Sequence, residues 1–198
     1  NSDNSSLGDW TVDEAKLPNG LHSLVEKVKA CGLKFGIWME PEMISPDSEL
    51  YRAHPDWALH LNGREGTQGR EQFVLDLSRK EVVDGIYEQI SAVIRSADIS
   101  YVKWDMNRQL TDVGNAVLAP ERQGEIYHRY MLGVYEMQER LCHDFPNLLL
   151  ENCSGGGARF DAGMLYYSPQ IWCSDDMDPV ERLSIQEGTA LVYPLSSM

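Results

Sequence analysis

Helical and strand patterns alternate along this chain, and that order predicts an α/β fold built on a parallel sheet, more narrowly a partial (β/α)8 barrel. Three observations carry the prediction. Parallel strands joined through helices need crossovers of one hand, and each strand-like run here is separated from the next by a helical or loop stretch long enough to make one. Five β-prone runs begin near residues 35, 101, 148, 171 and 191, giving about five βα units. Acidic or polar clusters follow at least four of them, which suits a barrel, where every loop at one end borders the same mouth, better than an open sheet with a single switch point.

In chain order, residues 1–10 are polar and without period, hence a loop. After Pro18, Leu21, Leu24, Val25 and Val28 fall on one helical face, and Gly32 is a stop signal. The run 34–39 then reads as a strand that places Gly36, Trp38 and Glu40 on one face. A short helix is expected within 45–57. Two β-prone segments, 57–61 and 72–77, flank the Gly-rich stretch NGREGTQGR and predict a hairpin that carries Arg70. Ser78 with Glu81 matches a capping box, and Val82, Ile86, Ile90 and Val93 mark an amphipathic helix to about residue 96. The strand YVKWD follows. A helix over about 121–143 buries Tyr130, Val134, Met137 and Leu141, and LLLE at 148–151 leads into NCSGGG. A short helix near 159–165, a strand at 170–174, a helix capped by Asp178 and a last strand at Val192 and Tyr193 complete the reading.

With 198 residues, 42% hydrophobic and 24% charged, the chain has the apolar content for a sizeable core. Its net charge of −14 argues against nucleic acid or an anionic membrane as partner, and no apolar run has transmembrane length. A neutral small molecule fits best. Cys31, Cys142, Cys153 and Cys173 show neither CxxC nor zinc-ligand spacing, so they read as free thiols of a reducing, cytoplasmic compartment.

Four constellations have the composition for chemistry. In YVKWDMNR, strand alternation puts Tyr101, Lys103 and Asp105 on one face, so a cation and an anion meet at a strand end, as a catalytic group or as a structural ion pair. In IWCSDDMD the same alternation puts Ile171, Cys173 and Asp175 together, with helix capping as the plainer role for the aspartates. Two carboxylates facing one another across a pocket are what glycoside hydrolysis requires. The stretch ENCSGGGAR, 151–159, lacks the pattern of a phosphate loop, and its glycines instead allow backbone to approach a ligand. Glu40 and Glu42 with Trp38 form the fourth. Acidic strand ends also suit Mg²⁺ or Mn²⁺. His22, His54, His60, His128 and His143 all lie away from parallel strand ends, so neither metal nor other cofactor is expected.

WMEPEM, Arg70 in its hairpin, YVKWDMNR, ENCSGGGARFD and WCSDD, in this order and spacing, resemble the catalytic (TIM) barrel of family 36 glycoside hydrolases, the microbial α-galactosidases. The resemblance covers essentially the whole chain. It implies a retaining enzyme that hydrolyses terminal α-galactosides of melibiose or raffinose type by double displacement, with Asp105 as nucleophile and Asp175 as acid/base. Trp38, Arg70, Lys103, Asn107, Cys153 and Gly156 then bind the galactose, and Lys103 is expected close enough to Asp105 to hold it ionised. The family's adjacent pair of hydroxyl-binding aspartates has no counterpart, nor have its first two barrel strands, its last strand and its flanking β domains. Residues 1–198 therefore read as strands three to seven of one catalytic domain, inactive alone, with homo-oligomerisation of the complete protein left open. Two other functions stay open: a galactosyltransferase making raffinose-type oligosaccharides, and a non-catalytic carbohydrate-binding barrel whose Trp38 stacks a sugar.

Overall fold

The structure, a computed structural model, describes residues 5–198; the first four residues of the expected N-terminal loop lie outside it. Helix α1 (Gly20–Ala30) buries Leu21 and Val25, and Gly32, at φ 75°, turns the chain out of it. Strand β1 (Phe35–Met39) follows, then the short β2 (Met43–Ile44), helix α2 (Glu49–Ala53) capped by Ser48, and β3 (Phe73–Val74). Helix α3 (Lys80–Arg95) leads to β4 (Ile99–Trp104), α4 (Ile126–Asp144) to β5 (Leu149–Asn152), and α5 (Ala162–Tyr167) to β6 (Gln170–Ile171). Helix α6 (Pro179–Ala190) starts at Asp178, whose Oδ1 accepts the Val180 and Glu181 N–H groups, as its sequence signal predicts. No helix among the described residues is long and apolar enough to cross a membrane.

Strands β1, β4, β5 and β6 make one parallel sheet in that order. Its register sets Trp38 beside Lys103, Lys103 beside Glu151 and Glu151 beside Gln170, a row of polar or amphipathic side chains across one face. The alternate residues Val102, Trp104, Leu150 and Ile171 are fully buried on the other face, among the apolar sides of the helices. There α3 contributes Val82, Ile86, Ile90 and Ile94, each worth about 1.5–3 kcal/mol when fully buried. Asn152, also buried, is satisfied by Gln138 of α4 at 3.0 Å.

Three local expectations are corrected. Among the described residues the sheet has four parallel strands rather than five, because the amides of Val192 and Tyr193 close the end of α6 on the Thr189 carbonyl and the chain then enters a 3₁₀ turn, Leu195–Ser197. The capping box does not form: the Ser78 hydroxyl donates to Asp76, and Arg79 takes Glu81 at 2.7 Å. In the expected hairpin, Ala58 does bridge Leu75, but the regular ladder is β3 with β2, and the tight turn is narrower than the Gly-rich stretch. Gly69 and Gln72 exchange both backbone hydrogen bonds around Arg70 and Glu71, at φ 55° and 57°. Two left-handed residues are the geometry of a two-residue hairpin turn, normally filled by Asn-Gly, so this turn holds non-glycine residues in a strained conformation.

Candidate active site

Asp105 is the residue just past β4. Its own N–H bonds the Met39 carbonyl at 2.8 Å, so the sheet ladder sets its position. Three donors hold its carboxylate: the Trp38 indole N–H reaches Oδ2 at 3.0 Å, the Asn107 amide reaches the same oxygen at 2.8 Å, and the Met106 N–H reaches Oδ1 at 2.9 Å. The side chain is 7% exposed. Trp38, by contrast, is 45% exposed, an indole edge fixed to Asp105 with its ring open to solvent.

Asn107 ties this carboxylate to both flanks. Its N–H donates to Glu40 at 2.7 Å, and its side-chain oxygen accepts the Gly155 N–H at 3.3 Å. Burial pushes the Glu40 carboxyl above the usual range, and the neighbouring Asp105 charge adds to it, while the Asn107 N–H and the Arg70 charge act the other way. Arg70 stands in the strained hairpin turn and is itself exposed.

Past β5 the ladder continues, with Cys153 donating to the Trp104 carbonyl at 2.8 Å and accepting from Met106 at 3.1 Å. Burial, with Asp105 alongside, pushes the Cys153 thiol up to about 11. The glycines behind it lie flat on the segment after β6. A Cβ on Gly156, at φ 92°, would stand 3.2 Å from the Asp175 backbone nitrogen, and one on Gly157 would stand 2.5 Å from the Cys173 carbonyl oxygen. Only glycine permits that approach. Met106, next to Asp105, thus bonds Cys153, the Cys153 thiol donates to the Gly156 carbonyl, and Gly156 lies against the Asp175 backbone.

Lys103 makes no ion pair with Asp105, where one was expected. Its ion pair is with Glu151 at 3.3 Å, and Tyr101 donates to the other oxygen of the same carboxylate. Its ammonium also lies 4.6 Å from the centroid of the Trp172 ring. The register explains this, because a side chain meets the residue directly opposite on the next strand more readily than one two places on along its own. A second correction concerns the segment after Ile171. The expected alternation breaks: β6 ends at Ile171, which is buried on the helix face, and Trp172 is the residue that meets Lys103. Asp175 lies in the loop beyond, exposed, its Oδ1 accepting the Trp172 indole N–H at 2.9 Å. It is not the helix cap.

Behind the site, Glu42 is fully buried and takes Trp104 Nε1 at 2.7 Å, Arg159 Nη2 at 2.6 Å and the Tyr130 hydroxyl. It clasps the last residue of β4, helix α4 and the glycine loop together. Glu151 and Arg159 bound the stretch 151–159 and Trp172 lies in WCSDD, but the sequence reading gives none of the three a role of its own. Glu151 stands two residues before Cys153 and so on its face, which is the one signal that pointed to it.

The Melibiase family model matches residues 1–198. The chain is 59% identical over 196 residues to α-galactosidase AgaA of Geobacillus stearothermophilus, and 57% identical over 194 residues to α-galactosidase 1 of Pediococcus pentosaceus. These alignments take in 99% and 98% of this chain but only 27% and 26% of those proteins, so the chain spans about a quarter of their length. A crystal structure of AgaA in complex with raffinose superposes with a TM-score of 0.97 at 58% identity, over 100% of this chain and 27% of that one. Matched from end to end by the family model and this closely by its members, the chain belongs to the Melibiase family, that of the family 36 α-galactosidases.

Proposed function

We propose that this chain is part of the catalytic (β/α)8 barrel of a longer retaining α-galactosidase, its parallel strands forming one arc of the wall and Asp105 and Asp175 its two working carboxylates. One observation carries the reading: Asp105 is pinned at a strand end by three donors, its neighbour Met106 bonds the Cys153 carbonyl, and the glycine loop after Cys153 packs against the backbone of Asp175. In AgaA, two aspartates replaced in the variants crystallised with raffinose and with stachyose are separated along that chain by the same interval as Asp105 and Asp175 here, which supports the pairing.

Asp105 attacks the anomeric carbon of a terminal α-galactoside while Asp175 gives its proton to the departing oxygen, leaving a β-linked galactosyl ester. Asp175 then takes a proton from water, which displaces Asp105 and returns the product with its original configuration. Trp38, Lys103, Arg70, Asn107, Cys153 and Gly156 border the sugar, and raffinose-type oligosaccharides are the substrate class. In the complete enzyme, Asp105→Ala abolishes turnover of every substrate. Asp175→Ala spares the first step for activated aryl galactosides, which need no proton, and its slow second step is rescued by azide. If Asp176→Ala gives that selective pattern instead, the acid/base is assigned one residue too early, and sugar binding without turnover by the unaltered enzyme overturns the whole reading.

A further inference from the structure

We infer that Trp172 is the positioning residue of Asp175, and that its indole decides which carboxylate oxygen carries the proton. The inference rests on the reading of Asp175 as acid/base. The observation behind it is the cluster of charged groups around the Trp172 ring. Trp172 donates its N–H to Asp175 Oδ1 at 2.9 Å, and two cations lie over its ring: Lys103 Nζ from β4 at 4.6 Å from the centroid and the Arg182 guanidinium from α6 at 4.8 Å. Each cation is itself fixed. Lys103 is paired with Glu151, and Arg182 donates to the Ser174 carbonyl at 2.8 Å.

An exposed aspartate in a loop turns among its rotamers, yet an acid/base has to stand beside the same oxygen in both chemical steps. The other charged groups on its segment do not supply that restraint, since Asp176 accepts the Asp178 N–H and Asp178 caps α6. Trp172 does, because its ring is gripped and its one polar atom points at the carboxylate. An indole N–H only donates. The oxygen it faces therefore remains an acceptor whether Asp175 is protonated or not, and Oδ2 is left to carry the proton to the glycosidic oxygen and to take one from the incoming water.

The test is Trp172→Phe in the complete enzyme, which keeps a ring under the cations and removes the N–H. A group that positions the acid matters only where a proton is needed. With raffinose, kcat/KM falls about ten-fold, the size carried by one charge-assisted hydrogen bond at a partly exposed site. With a dinitrophenyl α-galactoside, kcat/KM stays within about two-fold of the parent. Arg182→Met, on the surface helix, gives the same split in weaker form and serves if the first variant does not fold. Equal losses on both substrates show a merely structural ring and overturn the inference, as does no loss on either. Asp175→Ala is run alongside: if it lacks the leaving-group pattern, the assignment of the acid/base has failed, whereas if it shows the pattern and Trp172→Phe does not, only the role of Trp172 has.

Discussion

Two glycine-to-alanine changes in helices of this chain are expected to have opposite signs. In an open helix position the exchange gains about 1 kcal/mol, because alanine loses less backbone freedom on folding. Gly188 in α6 is such a position, with nothing within 4 Å of the added methyl. Gly133 in α4 is not. Its methyl would stand 1.9 Å from the Leu77 carbonyl oxygen, 3.0 Å from the carbonyl carbon and 3.1 Å from a Val83 methyl. An ordinary carbon–oxygen contact is about 3.3 Å, so α4 has to withdraw by more than about 1 Å. Overpacking of a core costs about 1–3 kcal/mol, and a backbone carbonyl cannot rotate aside as a side chain can, which places the cost near the upper end. Setting about 3 kcal/mol of clash against about 1 kcal/mol of propensity leaves Gly133→Ala destabilised by about 2 kcal/mol. The withdrawal also reaches the site, since Tyr130, one turn earlier, holds Glu42. The assay is urea unfolding of the complete enzyme followed by tryptophan fluorescence, with both variants beside the parent. A Gly133→Ala midpoint at or above the parent value refutes the argument.

Two further outcomes follow from the site. Asn107→Ala removes one of two donors to Asp105 Oδ2, and a hydrogen bond to a charged group is worth about 1.5–3 kcal/mol, so kcat/KM on an aryl α-galactoside should fall about 10- to 100-fold; a change under about two-fold would show that the contact is idle. Glu42→Gln strands the buried Arg159 charge and should cost about 3 kcal/mol of stability, yet adding Arg159→Met should cost less than the two single losses together, with a coupling of about 2 kcal/mol in a double-mutant cycle. Strict additivity in unfolding midpoints would mean that the pair does not act as a unit.

The local pattern by itself determined the succession of helices and parallel strands as far as β6, and the place of Asp105 at a strand end. Each is a consequence of periods of 3.6 and 2 residues that act within one segment. It also located the Asp178 cap, which depends on neighbouring residues alone. Tertiary structure decided who meets whom. Lys103 pairs with Glu151 and not with Asp105 because strand register, a relation between distant segments, sets them opposite each other. The alternation expected through Asp175 fails because β6 stops at Ile171 when its partner β5 ends, and nothing in the sequence of either strand states where the other ends. The turn at Arg70 and Glu71 lacks any turn signature of its own. Their left-handed backbone is imposed by the bonds between Gly69 and Gln72 on either side, so the conformation belongs to the closed hairpin rather than to the residues in it. Glu42 and Arg159, 117 residues apart, read as unrelated charges until folding removes both from water, where each is tolerable only because the other is there.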